Sequence, residues 1–519
     1  MQSATAAVPW LSILVLLPLV GSLLLALVKP FEKVAKSVAL AFSLFVFALF
    51  IAAFAIDFDV ASGGAVQLVE TYTWIPQIGV SLAWGINGMG AVMIALATFL
   101  VPLVVLASWN EFDGAEARGY FAWILALEAI MIALFAARDL FLFYILFEAM
   151  IVPMYFLIGH YGGLKSKRAA MKFLLYSLLG GLIMLVGVIA VFLYGPSGPG
   201  GYQIDVLASG LSIPAGAEMW IFLSFFIAFA IKAPMWPVHT WLPDTAEQAP
   251  AGTSTLLVGV LDKLGTYGMI AICLPLFPQA AHDAAGVILV LAVISIIWGA
   301  LMAIGSDNLY RLVAYTSVSH FGFMVMGIFS GSKLAMSGAI LYMVAHGVGT
   351  AGLFLIVRFL ELRGGSPLIS SYGGWQRVTP VIAGTFLIVG LATIALPGLS
   401  GFVPEYLVLM GTYSTVPAAA LCAVIGVVLA AVYILLPYQR AFTGPKPTGD
   451  AEKVHDLNGV EKTIMGILIA VMLLLGFAPT PVLDTVNPVA EEAAGIISLE
   501  INPRSADFAA EAATEGSGK

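Results

Sequence analysis

Long apolar stretches follow one another along most of the chain and constrain its fold more than any other feature. A helix needs about 20 mainly apolar residues to cross the hydrocarbon core of a bilayer. Such stretches occur at 8–28, 35–56, 86–108, 119–136, 139–159, 169–194, 218–241, 251–275, 284–304, 308–330, 334–360, 379–411, 415–437 and 462–481. We therefore predict an all-α polytopic membrane protein with about 14 transmembrane helices.

The composition agrees with this class. The 519 residues are 61% hydrophobic and 10% charged, whereas a soluble domain is about 25% charged. The two cysteines, Cys273 and Cys422, lie in apolar stretches, which argues against a disulfide framework or a thiolate cluster. No basic residue precedes the first apolar stretch, so we expect no cleaved targeting segment.

The basic residues indicate an orientation, because cytoplasmic loops carry an excess of Lys and Arg. With the amino terminus outside, sixteen of the 22 basic residues are cytoplasmic, and two, Lys232 and Lys263, lie inside apolar stretches. The four external ones are Arg138, Lys333, Arg504 and Lys519. We therefore expect both termini on the outer side. The external loop at 57–85 is expected to contain short strands or turns.

The seventh apolar stretch carries a lysine followed by two prolines. Lys232 lies deep within it, and Pro234 and Pro237 come directly after. A lysine at the centre of a membrane helix costs roughly 2.5–3.5 kcal/mol on insertion scales. The prolines release backbone carbonyls that need partners in protein or water. We interpret the segment as the lining of a polar pathway; the alternative is a structural kink with a lysine that reaches the interface.

A second interrupted stretch lies five helices later. The twelfth stretch is broken at 396–402, just before Glu405. Paired broken helices of opposite orientation are typical of inverted-repeat transporters, so we predict inverted five-helix repeats of helices 4–8 and 9–13. The predicted segments are 1–115 (helices 1–3), 116–275 (first repeat), 276–440 (second repeat), 441–483 (cytoplasmic loop and helix 14) and 484–519 (acidic, flexible tail). Within that tail, 488–500 could form a short surface helix.

Several ionisable side chains lie within the apolar stretches. Glu148 is expected to pair with Lys232, and separating the two would let a proton leave or arrive; a static ion pair is the alternative. A second buried lysine, Lys263, favours a chain of protonatable sites. Asp262 precedes it, but helical neighbours point about 100° apart and need not pair. We expect Asp262 to contact another helix or water.

Two histidines occupy consecutive helices between Lys263 and Glu405. His320 and His346 are expected to relay protons, because imidazole titrates near neutral pH; a lone membrane histidine is more often a satisfied polar contact. His239, near the cytoplasmic end of the seventh stretch, could take up protons. Glu128 is a further candidate carboxylate. The sequence has no HExxH motif and no other spacing that indicates a metal site.

At these residues the chain resembles the antiporter-like membrane subunits of respiratory complex I, the proton-translocating NADH:quinone oxidoreductase. The resemblance covers roughly 80–440 and is closest to the subunit M type, also called subunit 4. Its most specific pieces are 147–157, 232–244, 263–268, 315–320 and 396–405. Related subunits carry a lysine at the position of Glu405, which favours the M type. Glu111 and Glu128 fall where family members often carry acids.

The resemblance implies a proton channel in which Glu148 and Lys232 form a coupled pair. Lys263 would be the central relay, and Glu405 the exit-side residue. The chain departs from the family at Ala246, where a histidine is usual, so no role of that histidine is carried over. Asp262 also departs, because it replaces a usually apolar neighbour of the relay lysine.

The resemblance further implies a subunit of a translocating enzyme without its own redox centre, in the bacterial plasma membrane. Flavin, iron–sulfur clusters, NADH and quinone would be bound by partner subunits, and this chain would bind no cofactor or metal. Expected partners are the other membrane-arm and peripheral-arm subunits, the lipid bilayer and protons, with no nucleic acid. A multisubunit cation/proton antiporter and a related membrane-bound hydrogenase stay open as alternatives. A structural scaffold would leave the buried ionisable groups unexplained.

Overall fold

The structure is a computed structural model that describes residues 8–501. Helices dominate this range. They are α1 (Trp10–Leu27), α2 (Ala35–Asp57), α3 (Gly88–Ala107), α4 (Gly114–Ala136), α5 (Leu140–Ala149), α6 (Ile151–Gly159), α7 (Ser166–Tyr194), α8 (Ile204–Gly210), α9 (Ala215–Lys232), α10 (Trp241–Gln248), α11 (Ala251–Leu256), α12 (Lys263–Gly268), α13 (Leu274–Leu276), α14 (Pro278–Ile304), α15 (Leu309–Phe329), α16 (Lys333–Gly364), α17 (Pro380–Thr393), α18 (Phe402–Thr415), α19 (Pro417–Phe442), α20 (Gly459–Phe477) and α21 (Thr480–Ile501).

The helices confirm the predicted class. Within residues 8–501, twelve helical spans are long and apolar enough to cross a membrane. α5 and α6 together make one of them, and the residues from Ala251 to Leu276 make another. Two more of the predicted spans, 218–241 and 379–411, are interrupted. The count of 14 crossings and the inverted repeats stay predictions.

One antiparallel hairpin interrupts the helical pattern, in the loop where short strands were expected. It pairs β1 (Gln67–Ile75) with β2 (Val80–Ile86), and Thr71 lies opposite Ala83. Asp139 links the hairpin to the bundle. Its carboxylate accepts the backbone N–H of Ser81 at 2.9 Å and also those of Phe141 and Leu142, which caps α5.

The first interruption follows Lys232, where α9 ends. Pro234 and Pro237 prevent the helix from continuing, and α10 begins only at Trp241. The indole Nε1 of Trp241 donates to the carbonyl of Ile231 at 3.0 Å, while the Trp236 N–H donates to Ser295 Oγ at 2.7 Å. Backbone groups freed by the break therefore find partners inside the protein, as a membrane interior requires.

Ion pairs fix α10 beyond this break. Asp244 accepts from Lys172 of α7 at 2.7 Å and from Arg311 of α15 at 2.6 Å. Arg311 also donates to Glu247 at 2.8 Å. The short helix is thereby tied to two long neighbours, which holds the far side of the break in place.

The second interruption separates α17 from α18 at residues 394–401. Ala395 and Gly398 both adopt positive φ values, 59° and 90°. The Leu396 N–H donates to the carbonyl of Leu391 at 3.0 Å, which closes the end of α17. Both interruptions predicted from the prolines and glycines are therefore present.

The span that carries Lys263 is irregular on both sides of that residue. π-helical turns occupy Leu257–Leu261 and Met269–Cys273, with α12 between them. π-turns inside α-helices are rare and occur frequently at functional sites. Nearly all of this span is buried within the protein.

The carboxyl-terminal region differs from the expectation. Residues 484–501, predicted as part of a flexible tail, belong to α21, which packs against α16 and α3. Val486, Val489, Ala490 and Ile497 recur at helical spacing and are buried. Their apolar face explains the order, which the acidic composition concealed. The rest of the predicted tail, 502–519, lies outside the described residues.

Candidate functional site

The helices gather the predicted residues in the interior of the bundle. Glu148 lies on α5, and Lys232 ends α9. Lys263 begins α12, and His320 and His346 lie on α15 and α16. Glu405 is in the first turn of α18. All of these side chains are buried except that of Glu148, which is half-buried. Three of the six lie beside irregular backbone. Lys232 and Glu405 adjoin the two helix interruptions, and Lys263 lies between the two π-turns.

Lys232 has a partner other than the one predicted. Its side chain is 1% exposed, and Nζ donates to Ser177 Oγ of α7 at 3.2 Å. The ammonium also lies 4.9 Å from the ring centroid of Phe173 and 5.6 Å from that of Phe147. Glu148 acts on Lys232 electrostatically, without a hydrogen bond between the two. The predicted pair is therefore separated in this structure.

Glu148 rests against a glycine of the same α7 helix. A Cβ at Gly181 would lie 1.4 Å from Glu148 Oε1, which has no hydrogen-bond partner among residues 8–501. Ser177 and Gly181 are four residues apart and so share one face of α7. On that face, Ser177 contacts Lys232, and Gly181, one turn along, contacts Glu148.

Lys263 is the centre of a hydrogen-bonded group. Its side chain is 0% exposed; Nζ donates to the carbonyl of Val258, in the first π-turn, and lies 2.7 Å from His346 Nδ1. Because the ammonium can only donate, Nδ1 accepts and the ring proton is assigned to Nε2. That nitrogen lies 3.1 Å from Thr350 Oγ1, one turn further along α16.

A second hydrogen-bonded group ends at Glu405. The Tyr342 hydroxyl donates to Glu405 Oε2 at 2.7 Å and lies 2.6 Å from His320 Nδ1. His320 Nδ1 is therefore the donor to Tyr342, and Nε2, 3.2 Å from the Tyr433 hydroxyl, accepts. Glu405 is thus connected through one tyrosine to a histidine.

The two groups approach each other at the histidines. The ring centroids of His320 and His346 are 5.3 Å apart, and the nitrogens of both rings make hydrogen bonds to other groups and not to each other. A cavity of about 10 Å³ lies beside them and is also lined by Tyr342, Thr350 and Thr393. This is space for about one water molecule with several polar partners. One water would therefore connect Lys263 to Glu405.

Sequence reasoning missed four hydroxyl residues of this arrangement, namely Ser177, Tyr342, Thr350 and Tyr433. Two of them, Tyr342 and Thr350, could have been identified from a pattern in the sequence. Tyr342, His346 and Thr350 repeat every four residues and therefore lie along one face of α16. The other two are fixed by which helices pack together, and no local pattern reveals that.

Three further buried groups stay outside the hydrogen-bonded chain. Both carboxylate oxygens of Glu128 and of Asp262, and Nδ1 of His239, lack a hydrogen-bond partner within the described chain. The His239 ring lies 6.4 Å from that of Tyr315. Asp262 differs from the other two because it acts electrostatically on two buried lysines, Lys232 and Lys263.

A polar cavity of about 250 Å³ opens at one end of the bundle. Glu111, in the connection between α3 and α4, accepts from Arg358 Nε at 2.7 Å there. Arg358 also pairs with Glu361 at 2.9 Å, and the Tyr310 hydroxyl donates to Glu361 at 2.7 Å. Burial raises the pKa of Glu111, and the nearby Arg358 charge opposes that rise.

Hydroxyl groups continue from this cavity into the bundle. The Tyr120 hydroxyl is 3.4 Å from Ser108 Oγ and 3.4 Å from Thr253 Oγ1. Gly252 leaves room for them, since a Cβ there would lie 2.6 Å from Ser108 Oγ. Thr253 and Lys263 belong to the same span, about 15 Å apart along the axis at 1.5 Å per residue. These hydroxyl groups therefore extend the polar interior from the cavity in the direction of Lys263.

The chemistry available here is proton binding and transfer. Within the described part of the chain, no group of three or more His, Cys, Asp or Glu residues could hold a metal ion. Lysines, histidines, tyrosines and carboxyls at hydrogen-bond distances of 2.6–3.2 Å are suited to passing protons.

Comparison with known proteins connects this arrangement to a family. Residues 137–430 match the family model described as NADH:quinone oxidoreductase/Mrp antiporter, TM. NADH-quinone oxidoreductase subunit M of Mycobacterium tuberculosis is 42% identical, over 93% of this chain and 94% of that protein. The Escherichia coli protein of the same name is 38% identical, over 79% of this chain and 82% of its own length.

Two solved structures share the fold. A chain of respiratory complex I from Thermus thermophilus with bound NADH superposes with a TM-score of 0.86 at 32% identity, covering 94% of this chain and 99% of that one. A chain of the Mrp complex from Dietzia sp. gives a TM-score of 0.82 at 21% identity, covering 95% and 98%. The second likeness is one of fold alone.

Proposed function

The chain belongs to the NADH:quinone oxidoreductase/Mrp antiporter family of membrane subunits, and we propose that it is the proton-translocating subunit M of a respiratory complex I. One observation carries the proposal. The buried groups from Lys263 to Glu405 form two hydrogen-bonded segments that meet at a water-sized cavity. A membrane protein retains such costly groups where ions or protons pass.

The proposed transfer runs from Lys263 to Glu405. The Lys263 ammonium passes a proton to His346 Nδ1 as the Nε2 proton leaves on the opposite side of the ring. Water in the small cavity carries it to His320 or directly to Tyr342, and the tyrosine hydroxyl delivers it to Glu405. Each contact lies within the range for proton transfer, about 2.6–3.2 Å or one bridging water.

Glu148 and Lys232 are proposed to couple this transfer to events in neighbouring subunits. In the separated arrangement Lys232 is held by Ser177. If Glu148 approaches, its carboxylate stabilises the ammonium; when it retreats, Lys232 releases its proton more readily. Redox energy from other subunits would act by changing that separation.

Uptake is proposed from the cavity that contains Glu111, with release beyond Glu405. The excess of basic residues in the loops at that end supports a cytoplasmic side. Both termini would then face outward across a bacterial plasma membrane. We also propose that helices 4–8 and 9–13 are inverted repeats, since the interruptions after Lys232 and Thr393 lie in the seventh and twelfth spans. No step of the proposed proton transfer is assigned to Glu128 or His239.

The proposed partners are the remaining membrane-arm and peripheral-arm subunits. Flavin, iron–sulfur clusters, NADH and quinone would be held by those partners. The antiporter alternative is weaker, because its support is a shared fold at 21% identity, whereas relatives named subunit M match nearly the whole chain at 42%. A chain of the archaeal membrane-bound sulfane sulfur reductase, at 22% identity and a TM-score of 0.81, likewise shares the fold alone.

The assembly can be tested directly. The tagged chain is purified in mild detergent, separated on a native gel and stained in the gel for NADH dehydrogenase activity. We expect a large NADH-active band that contains this chain together with flavin and iron–sulfur proteins. A stable assembly without those proteins would contradict the proposal and favour a cation/proton antiporter, for which sodium-dependent transport is the next assay.

A further inference from the structure

We infer that Asp262 is a proton-binding residue between Lys232 and Lys263, which receives a proton from the first lysine and passes it to the second. The inference rests on the proposed function and adds a step to it. The step would bridge the gap between the two lysines, because Lys232 and Lys263 make hydrogen bonds to different partners, Ser177 and His346, and not to each other.

The first observation is an unpartnered buried carboxyl. Asp262 is 0% exposed, and neither of its carboxylate oxygens has a hydrogen-bond partner within residues 8–501. Buried polar groups in native proteins are almost always paired, so an exception calls for a specific cause. With both oxygens unpartnered, the Asp262 carboxylate is free to accept a proton from a neighbouring donor.

The second observation is the packing of the helix face that carries Asp262. Gly265 lies one turn further along that face. A Cβ at Gly265 would lie 2.4 Å from both the Ala233 nitrogen and the Phe229 carbonyl oxygen, so the two backbones touch. Phe229 is in the last turn of α9, and Ala233 directly follows Lys232, the last residue of that helix. Asp262 is therefore on the side of its helix that meets the end of α9.

Lys263 lies on a different side of the same helix. Its Nζ reaches His346 of α16. The Asp262 N–H donates to the carbonyl of Leu257 at 2.9 Å, a five-residue bond of the π-turn. Asp262 thus faces the end of α9, where Lys232 lies, whereas Lys263 faces α16.

The electrostatics agree with this placement. Asp262 acts electrostatically on both lysines. Two ammonium groups would repel each other, and a carboxylate near both of them offsets that repulsion.

The proposed step moves one proton without other chemistry. An N–H bond of the Lys232 ammonium breaks as an O–H bond forms on Asp262, leaving a neutral amine and a carboxylic acid. The acid then gives that proton to the neutral amine of Lys263, which becomes an ammonium, and Asp262 returns to the carboxylate. A small rotation of the side chain or a bridging water completes each contact.

The test uses the assembled complex in inverted membrane vesicles with Asp262→Asn, Asp262→Glu and a matched control, Asp283→Asn. Asp283 is a half-exposed residue on α14 outside the pathway. Assembly is measured as NADH oxidation by a hydrophilic electron acceptor, and function as NADH:quinone turnover and fluorescence-monitored proton pumping. We expect D262N to lower turnover and pumping roughly 100-fold, D262E to restore most of both, and D283N to resemble the wild type.

A parallel Lys263→Met variant separates the inference from the proposed function. If K263M is inactive while D262N pumps as the wild type does, Asp262 is not in the pathway and only the inference fails. If both variants pump normally, the proposed function itself fails. Should D262N not assemble, D262E decides: an assembled D262E must shift a carboxyl C=O band in redox-induced infrared difference spectra, and an unchanged band overturns the inference.

Discussion

Gly181 lies so close to Glu148 that a side chain added at this position would displace the carboxylate. A Cβ there would be 1.4 Å from Glu148 Oε1, inside covalent distance. One turn away on the same helix face, Ser177 accepts the hydrogen bond of Lys232. α7 therefore sets the separation of the two charged groups that were predicted to pair.

This contact predicts that Gly181→Ala impairs coupling. The added methyl group must displace the Glu148 carboxylate, which is the mobile end of a half-buried side chain. We expect an assembled complex whose NADH:quinone turnover falls about tenfold, the equivalent of about 1.4 kcal/mol. Gly286→Ala on α14 is the matched control, since nothing lies within 4 Å of its Cβ position. Normal turnover in G181A would show that the position of Glu148 is unimportant.

Replacing Lys232 with methionine should abolish coupled turnover. The substitution keeps an unbranched side chain of similar length but removes the ammonium group that donates to Ser177. NADH:quinone activity and proton pumping in vesicles measure the effect, with NADH oxidation by a hydrophilic acceptor as the assembly check. Lys333→Met serves as control, because Lys333 is half-exposed and pairs with Glu491. Wild-type turnover in K232M would rule out the proposed mechanism.

Tyr342→Phe should interrupt the path to Glu405 with little change in packing. The hydroxyl it removes connects His320 Nδ1 to Glu405 Oε2. We expect proton pumping to fall by about tenfold or more, with assembly intact. Tyr413→Phe, on the exposed side of α18, should have no effect. If Y342F pumps normally, protons reach Glu405 by another route.

Glu111→Gln should change the pH dependence of turnover. Because burial raises the pKa of Glu111, this carboxyl is protonated at a higher pH than an ordinary glutamate as the solution is acidified. Protonation weakens the Arg358 pair and removes the proton acceptor of the uptake cavity, so wild-type turnover should decline on the acid side. In E111Q we expect a lower rate with a flatter acid limb, measured in vesicles buffered at a series of pH values.

If E111Q leaves the decline of turnover at acid pH unchanged, a group other than Glu111 causes that decline. Glu452→Gln is the matched control. Glu452 is half-exposed and pairs with Lys446, and that neighbour lowers the pKa of Glu452. Its substitution should leave the pH profile as in the wild type.

The sequence contained most of the architecture, because bilayer thickness dictates helix length and proline dictates where helices stop. The lysines and Glu405 were identified in the same way, since a charge inside an apolar stretch needs an explanation. The separation of Glu148 from Lys232 was not predictable. It depends on which face of α7 enters the space between α5 and α9, and that is a property of tertiary packing.

The hydroxyl partners show the same limit. Tyr342 and Thr350 share the face of His346 and could have been read from a spacing of four. Tyr433 reaches His320 from a helix more than a hundred positions later, which no local pattern reveals. The helix at 484–501 was expected only in part, as a short surface helix at 488–500, because the acidic composition received more weight than the spacing of Val486, Val489 and Ile497.

In the proposed pathway, the gap between His320 and His346 makes conduction depend on a single water molecule. With the small cavity wet, a continuous line of exchangeable hydrogens runs through the second half of the protein. With it dry, the line is cut although no titratable side chain has moved. Thr393, at the end of α17 beside the second interruption, lines this space. A shift of that helix end by less than the width of a water molecule would therefore work as a valve, switching the path between open and closed.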